Sequence, residues 1–138
     1  MARDQLFLLK PGFTDGDTGP CYCPSCATLE GVLSFYPKLR TALEVQMVDF
    51  PRPRAAVIAV IGAENQGLPV LVIAPDPAAG TALAGLDVKE AQGRRFLQNV
   101  GDIGRYILGN AVRAGLAEEW EAWPHCGGTL VSDAPGQS

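Results

Sequence analysis

The chain has a single histidine in 138 residues, an aromatic content of 7% and no long apolar run. One histidine excludes a multi-histidine metal site and leaves little room for a Ser-His-Asp triad. Uncharged apolar stretches such as Ala55 to Gly62 fall far short of the roughly 20 residues a membrane helix needs. Positive charge is scarce as well. Lys and Arg number 11 against 15 Asp and Glu, a net charge of −4, and basic residues gather only at Arg52/Arg54 and Arg94/Arg95. Without a concentrated basic surface to neutralise phosphates, nucleic acid is not an expected partner. Met1-Ala2-Arg3-Asp4 runs straight into a strand-like stretch with no apolar leader, so the expectation is a soluble cytoplasmic protein with no membrane partner.

What is present is globular: 47% hydrophobic and 19% charged residues, in a length that suits one core. We expect a single domain over residues 1–126 and a C-terminal tail over 127–138. Gln5 to Leu9 is a short, nearly continuous apolar run stopped by Pro11-Gly12, the pattern of a strand buried on both faces. Residues 10–20, rich in Pro, Gly and Asp, are expected to be a loop. Leu29, Val32, Leu33 and Tyr36 then form one helical stripe, ended by Pro37, with another turn over Lys38 to Leu43. A strand over Val45 to Phe50, a helix over Arg54 to Glu64 and a strand over Val70 to Ala74 follow. Residues 75–93 have no clear period and are expected to be an irregular insertion. Arg94 to Gln98 is expected to be an edge strand, and Val100, Ile103, Ile107, Leu108 and Ala111 mark a closing helix. The resulting order, β-α-β-α-β-insertion-β-α, is α/β with helices over the sheet faces.

The chemistry-bearing feature is Cys23-Pro24-Ser25-Cys26, at the junction of the first loop and the first helix. The opening turn of a helix presents unpaired N–H groups and partial positive charge, which favour a thiolate over a thiol. Two intervening residues bring the second sulfur within disulfide reach, and Pro24 suits the first helical position because its missing N–H is no loss there. Cys23 is then the exposed attacking thiolate and Cys26 the buried resolving thiol of a thiol–disulfide oxidoreductase. The same spacing serves zinc sites. The alternative metal set is Cys21, Cys23, Cys26 and Cys126, with His125 beside it; a third reading is an inactive structural remnant.

A proline also precedes the third strand, in Leu68-Pro69-Val70-Leu71-Val72, where the missing ladder donor is tolerated. Strand, CPxC, helix, strand, helix, LPVLV, strand, helix resembles the thioredoxin/glutaredoxin fold. That resemblance implies a four-stranded mixed sheet flanked by helices, with an insertion before the last strand, and a cis Leu68–Pro69 bond beside the cysteines. The backbone of Leu68 would pair with an extended thiol-bearing substrate, a disulfide-containing protein or a small thiol. The stretch from Asn99-Val100 through Tyr106-Ile107 is similar to the segment by which glutaredoxins and glutathione-transferase N-terminal domains hold the γ-glutamyl carboxylate of glutathione, although Val100 lacks the usual hydroxyl. More closely, LFLLKPGF, the CPxC helix, FPRPRAAV and ENQGLPVLV resemble a bacterial family of uncharacterised thioredoxin-like proteins over roughly residues 4–110. That family brings no activity with it, and a non-catalytic binding module on the same fold stays open.

Other features have two readings each. Arg52 and Arg54 can hold an anion such as a carboxylate, or be surface charges on a stiff loop. Trp120, Trp123 and Tyr106 can form a homodimer or partner surface, or pack a last short helix over Leu116 to Trp123. Cys21 can resolve or trap Cys23, or be a passive loop thiol, with the passive reading preferred.

Overall fold

A computed structural model describes residues 3–75 and 83–113. The expected last helix over Leu116 to Trp123, Cys126, His125 and the tail all lie outside the described residues. The apolar run near the start forms an interior strand, β1 (Asp4–Leu9). Parallel to it lies β4 (Leu43–Val48), with Leu9 opposite Val48; antiparallel on its other side lies β5 (Val70–Ile73), with Phe7 opposite Val70. Beyond β5 come β7 (Arg94–Leu97) and β6 (Lys89–Ala91), so the mixed sheet has five strands in the order β4-β1-β5-β7-β6.

Strand alternation sorts the core into two layers. Leu6, Leu8, Leu71, Ile73 and Leu97 face α1 (Pro24–Phe35), α2 (Leu39–Ala42) and α4 (Val100–Arg113), meeting Leu29, Leu33, Leu39, Ile103 and Ile107. Phe7, Val48, Val70, Val72 and Phe96 face the other way, against Val57 and Ile61 of α3 (Ala55–Ile61). Strands buried on both faces read as continuous apolar runs for this reason. Among the described residues no helix is long and apolar enough to cross a membrane.

Two expectations need correction. The loop over residues 10–20 contains a hairpin, β2 (Phe13–Asp15) and β3 (Thr18–Cys21), paired with Phe13 opposite Cys21. Its strands are largely exposed and so carry no alternating apolar signal; Gly16, at φ +62°, supplies the turn. The second concerns the sheet, which has five strands and not four, so Arg94–Leu97 is interior and the edge is β6, drawn from the supposedly irregular insertion. Gln92 and Gly93, both at positive φ, join β6 to β7 as a two-residue turn between the paired Ala91 and Arg94. The Lys-Glu-Ala sequence of β6 blunts the open edge with charge, and for the same reason hides the strand from an apolar-pattern reading.

Candidate functional site: a dithiol at a helix start

The registers bring the C-terminal ends of β1, β4 and β7 and the start of β5 to one edge of the sheet. The β2–β3 hairpin leaves β1 at this edge and returns the chain, through Tyr22, to Cys23 at the N-cap of α1, with Pro24 in the first turn. The Cys26 N–H donates to Cys23 Sγ at 3.1 Å, so the first sulfur takes the place of the usual oxygen cap. Cys26 Sγ in turn accepts the Leu9 N–H at 3.3 Å from the end of β1. Cys26 is buried and Cys23 half-buried, which makes Cys23 the more exposed sulfur of the pair. Both are free thiols, as is Cys21.

Burial is the largest influence on Cys26 and pushes its thiol from an ordinary value near 9 up to about 12. The hydrogen bond and charge of Cys23 push the same way, while the Leu9 N–H and the Arg54 charge oppose them. Cys26 therefore holds its proton well above the ordinary thiol range.

Arg54 is the site residue that sequence reasoning underrated. It is buried at 8% exposure, at the N-cap of α3. Its Nε and Nη2 donate to the Phe50 carbonyl at 3.1 and 2.7 Å, and its Nη1 donates to the Gln66 carbonyl at 2.8 Å. The Gln66 side chain accepts the Arg54 N–H at 2.8 Å. The guanidinium also lies 5.6 Å from the centre of the Phe50 ring, and that ring stacks on Phe13 of the hairpin at 4.3 Å. Burial, then the charge of Arg52, pull Arg54 below the ordinary guanidinium value, and interactions with Cys26 and Cys23 pull it back up. An arginine keeps its proton regardless. The Arg54 guanidinium donates to backbone carbonyls, and its favourable electrostatic partners are the cysteine sulfurs and the Phe50 ring. No sequence pattern marks this burial, since a charge directly after Pro51-Arg52-Pro53 looks solvated.

The Leu68–Pro69 peptide is cis, the form the resemblance implies. Leu68 packs against both core layers, including the one against which Cys23 packs, and Pro69 is buried. Asn99 reaches the level of Pro69 through the register that pairs Leu97 with Leu71. There it caps α4: its side-chain oxygen accepts the Asp102 N–H at 3.0 Å and its carbonyl accepts the Ile103 N–H at 2.9 Å. The half-buried Val100 opens the helix and packs against the core. This helix start already holds an internal acceptor and the Asp102 carboxylate.

Cys21 turns away from the pair, its thiol donating to the Thr18 carbonyl at 3.3 Å. Among the described residues no three His, Cys, Asp or Glu side chains are grouped to hold a metal ion, and Cys126 lies outside them. Beside Cys23 and Cys26 opens a pocket of about 270 Å³. Leu8, Leu9 and Pro11 line it from β1 and its exit, Tyr22, Ala27 and Glu30 from the helix side, and Met47 from β4.

Neither the curated proteins nor the solved structures contain a match to this sequence. One family does match, over residues 3–114, and its description is "Protein of unknown function (DUF3088)". The dithiol edge of the sheet falls wholly within that span, and the chain belongs to this family.

Proposed function

We propose that the chain is a thioredoxin-like thiol–disulfide oxidoreductase that uses Cys23 and Cys26. The observation that carries this reading is the half-exposed sulfur at the helix start, held by the N–H of the residue whose own sulfur is buried behind it. Four strands in the order β4-β1-β5-β7, with β4 parallel to β1 and the other two antiparallel, support the fold assignment. Leu68 supports a docking role. Among the described residues its N–H and C=O have no backbone partner, which leaves them to an extended substrate chain.

In the first step the Cys23 thiolate attacks one sulfur of a substrate disulfide. A Cys23–substrate disulfide forms, and the other substrate sulfur leaves as a thiolate. This step removes the hydrogen-bond and charge contributions of Cys23 that add to burial in holding the proton on Cys26, while the Leu9 N–H and Arg54 remain to favour its ionisation. Cys26 then loses its proton to solvent and attacks Cys23 Sγ, forming the Cys23–Cys26 disulfide and releasing the second substrate thiolate. The substrate gains two electrons and the dithiol loses two; a thiol reductant restores it. The first step thus eases the second, because consuming Cys23 removes part of what keeps Cys26 protonated.

The test is trapping. Cys26→Ser protein incubated with a disulfide substrate accumulates a mixed disulfide at Cys23, detected by intact-mass and peptide mapping, and Cys23→Ser accumulates none. Turnover of Cys23→Ser at the wild-type rate overturns the mechanism.

A further inference from the structure

Large exposed apolar side chains are few among the described residues, and they are not scattered: of Tyr22, Phe35 and Met47, two line the pocket that holds Cys23. Its floor is aliphatic, from Leu8 and Leu9. The one carboxylate on its wall, Glu30, is bound to Arg40 at 2.6 Å. Among the described residues no cation lines it, so an anionic ligand such as glutathione gains no charge partner from them. At about 270 Å³ it is roomier than the ~150 Å³ cavity that suffices for benzene, so one ring or branched aliphatic group fits.

The topology fixes where that group comes from. The dithiol sits over the end of β1; Leu68 lies on the β5 side and Met47 on the β4 side. Two strand spacings of ~4.8 Å separate those flanks, about three residues of extended chain at ~3.3 Å each. A backbone docked at Leu68 with its sulfur at Cys23 therefore places a side chain one or two residues from its cysteine over the pocket.

We infer that this pocket is a specificity subsite for a large apolar side chain within two residues of the cysteine of a polypeptide disulfide, which the protein prefers to glutathione disulfide. The inference rests on the thiol-exchange reading above. Three probes test it on full-length Cys26→Ser protein, in which reaction stops at the mixed disulfide. Two are synthetic peptides disulfide-bonded to the same leaving thiol, identical except for Phe or Gly at the positions flanking cysteine; the third is glutathione disulfide. The expected result is attack on the Phe peptide faster than on the Gly peptide by roughly tenfold or more, with glutathione disulfide slowest. In Met47→Glu and, separately, Tyr22→Ser, both at exposed positions, the Phe-to-Gly ratio falls towards one. Equal rates for the two peptides, or faster attack on glutathione disulfide, overturn the subsite and leave thiol exchange standing. No mixed disulfide with any of the three overturns both.

Discussion

Alkaline pH is a perturbation whose effect the structure sets in sign and size. The folded chain raises the Cys26 thiol from near 9 to about 12. Below pH 9 both the folded and the unfolded chain keep this proton, so the contribution to stability is fully present. Between pH 9 and about 12 only the folded chain keeps it; unfolding releases a proton, and stability falls as pH rises. The slope from one proton is about 1.4 kcal/mol per pH unit, and the full window amounts to roughly 4 kcal/mol. A domain of this kind is held by about 5–15 kcal/mol, so the loss is visible. Tyr106 acts in the same direction, since burial and Asp4 raise its phenol, so wild type alone does not isolate the cysteine. The assay is therefore a comparison of urea midpoints for wild type and Cys26→Ala, both under reductant, from pH 8 to pH 11. Wild type should lose stability more steeply above pH 9, and the gap between the curves should approach the one-proton slope. Parallel curves would mean that burial does not hold the Cys26 proton, and the easing of the second step by the first would lose its basis.

Arg54→Met should destabilise the chain by roughly 2–4 kcal/mol in urea unfolding, because the Phe50 and Gln66 carbonyls lose their donors. The same variant should show slower iodoacetamide labelling of Cys23 at pH 7; an unchanged rate would remove Arg54 from the site. Phe7→Ala, at a position 1% exposed in the interior strand β1, should cost about 3–5 kcal/mol by the same unfolding measurement, and a loss under 1 kcal/mol would contradict the placement of the second core layer. Asn99→Ala should cost about 1 kcal/mol as a lost helix cap, with exchange rates unchanged at a temperature where both proteins are folded. A large fall in the rate would instead give Asn99 contact with substrate.

The elements with buried sides were legible in the sequence: the apolar run of β1, the stripe of α1, the valine-rich β5 and the closing helix. The placement of Cys23 and Pro24 at a helix start was legible too, since Pro at the first position and an apolar stripe behind it mark the same point. What stayed hidden has a common cause. β2, β3 and β6 are short and mostly exposed, so hydrogen bonding and turn geometry define them, and these leave no trace in an apolar pattern. The Gln92-Gly93 turn was the one available signal for the last hairpin. Arg54 and Met47 reversed their usual tendencies: the charge is buried because backbone carbonyls converge on it, and the thioether is exposed at the rim of a pocket. The Arg54 seat is made by Phe50 and Gln66, four and twelve residues away, and the Met47 rim by pairing β4 with β1, neither of which an apolar pattern marks.

The stack of Phe13 on Phe50 gives the two sides of this edge a common hinge pin. Phe13 belongs to the ribbon that delivers Tyr22, while Phe50 seats the guanidinium through its carbonyl and its ring face. Any displacement of that ribbon tilts the seat, so the contour a ligand meets and the field its sulfur feels shift in concert. Altering either aromatic ring would retune both properties at once, and neither could drift alone.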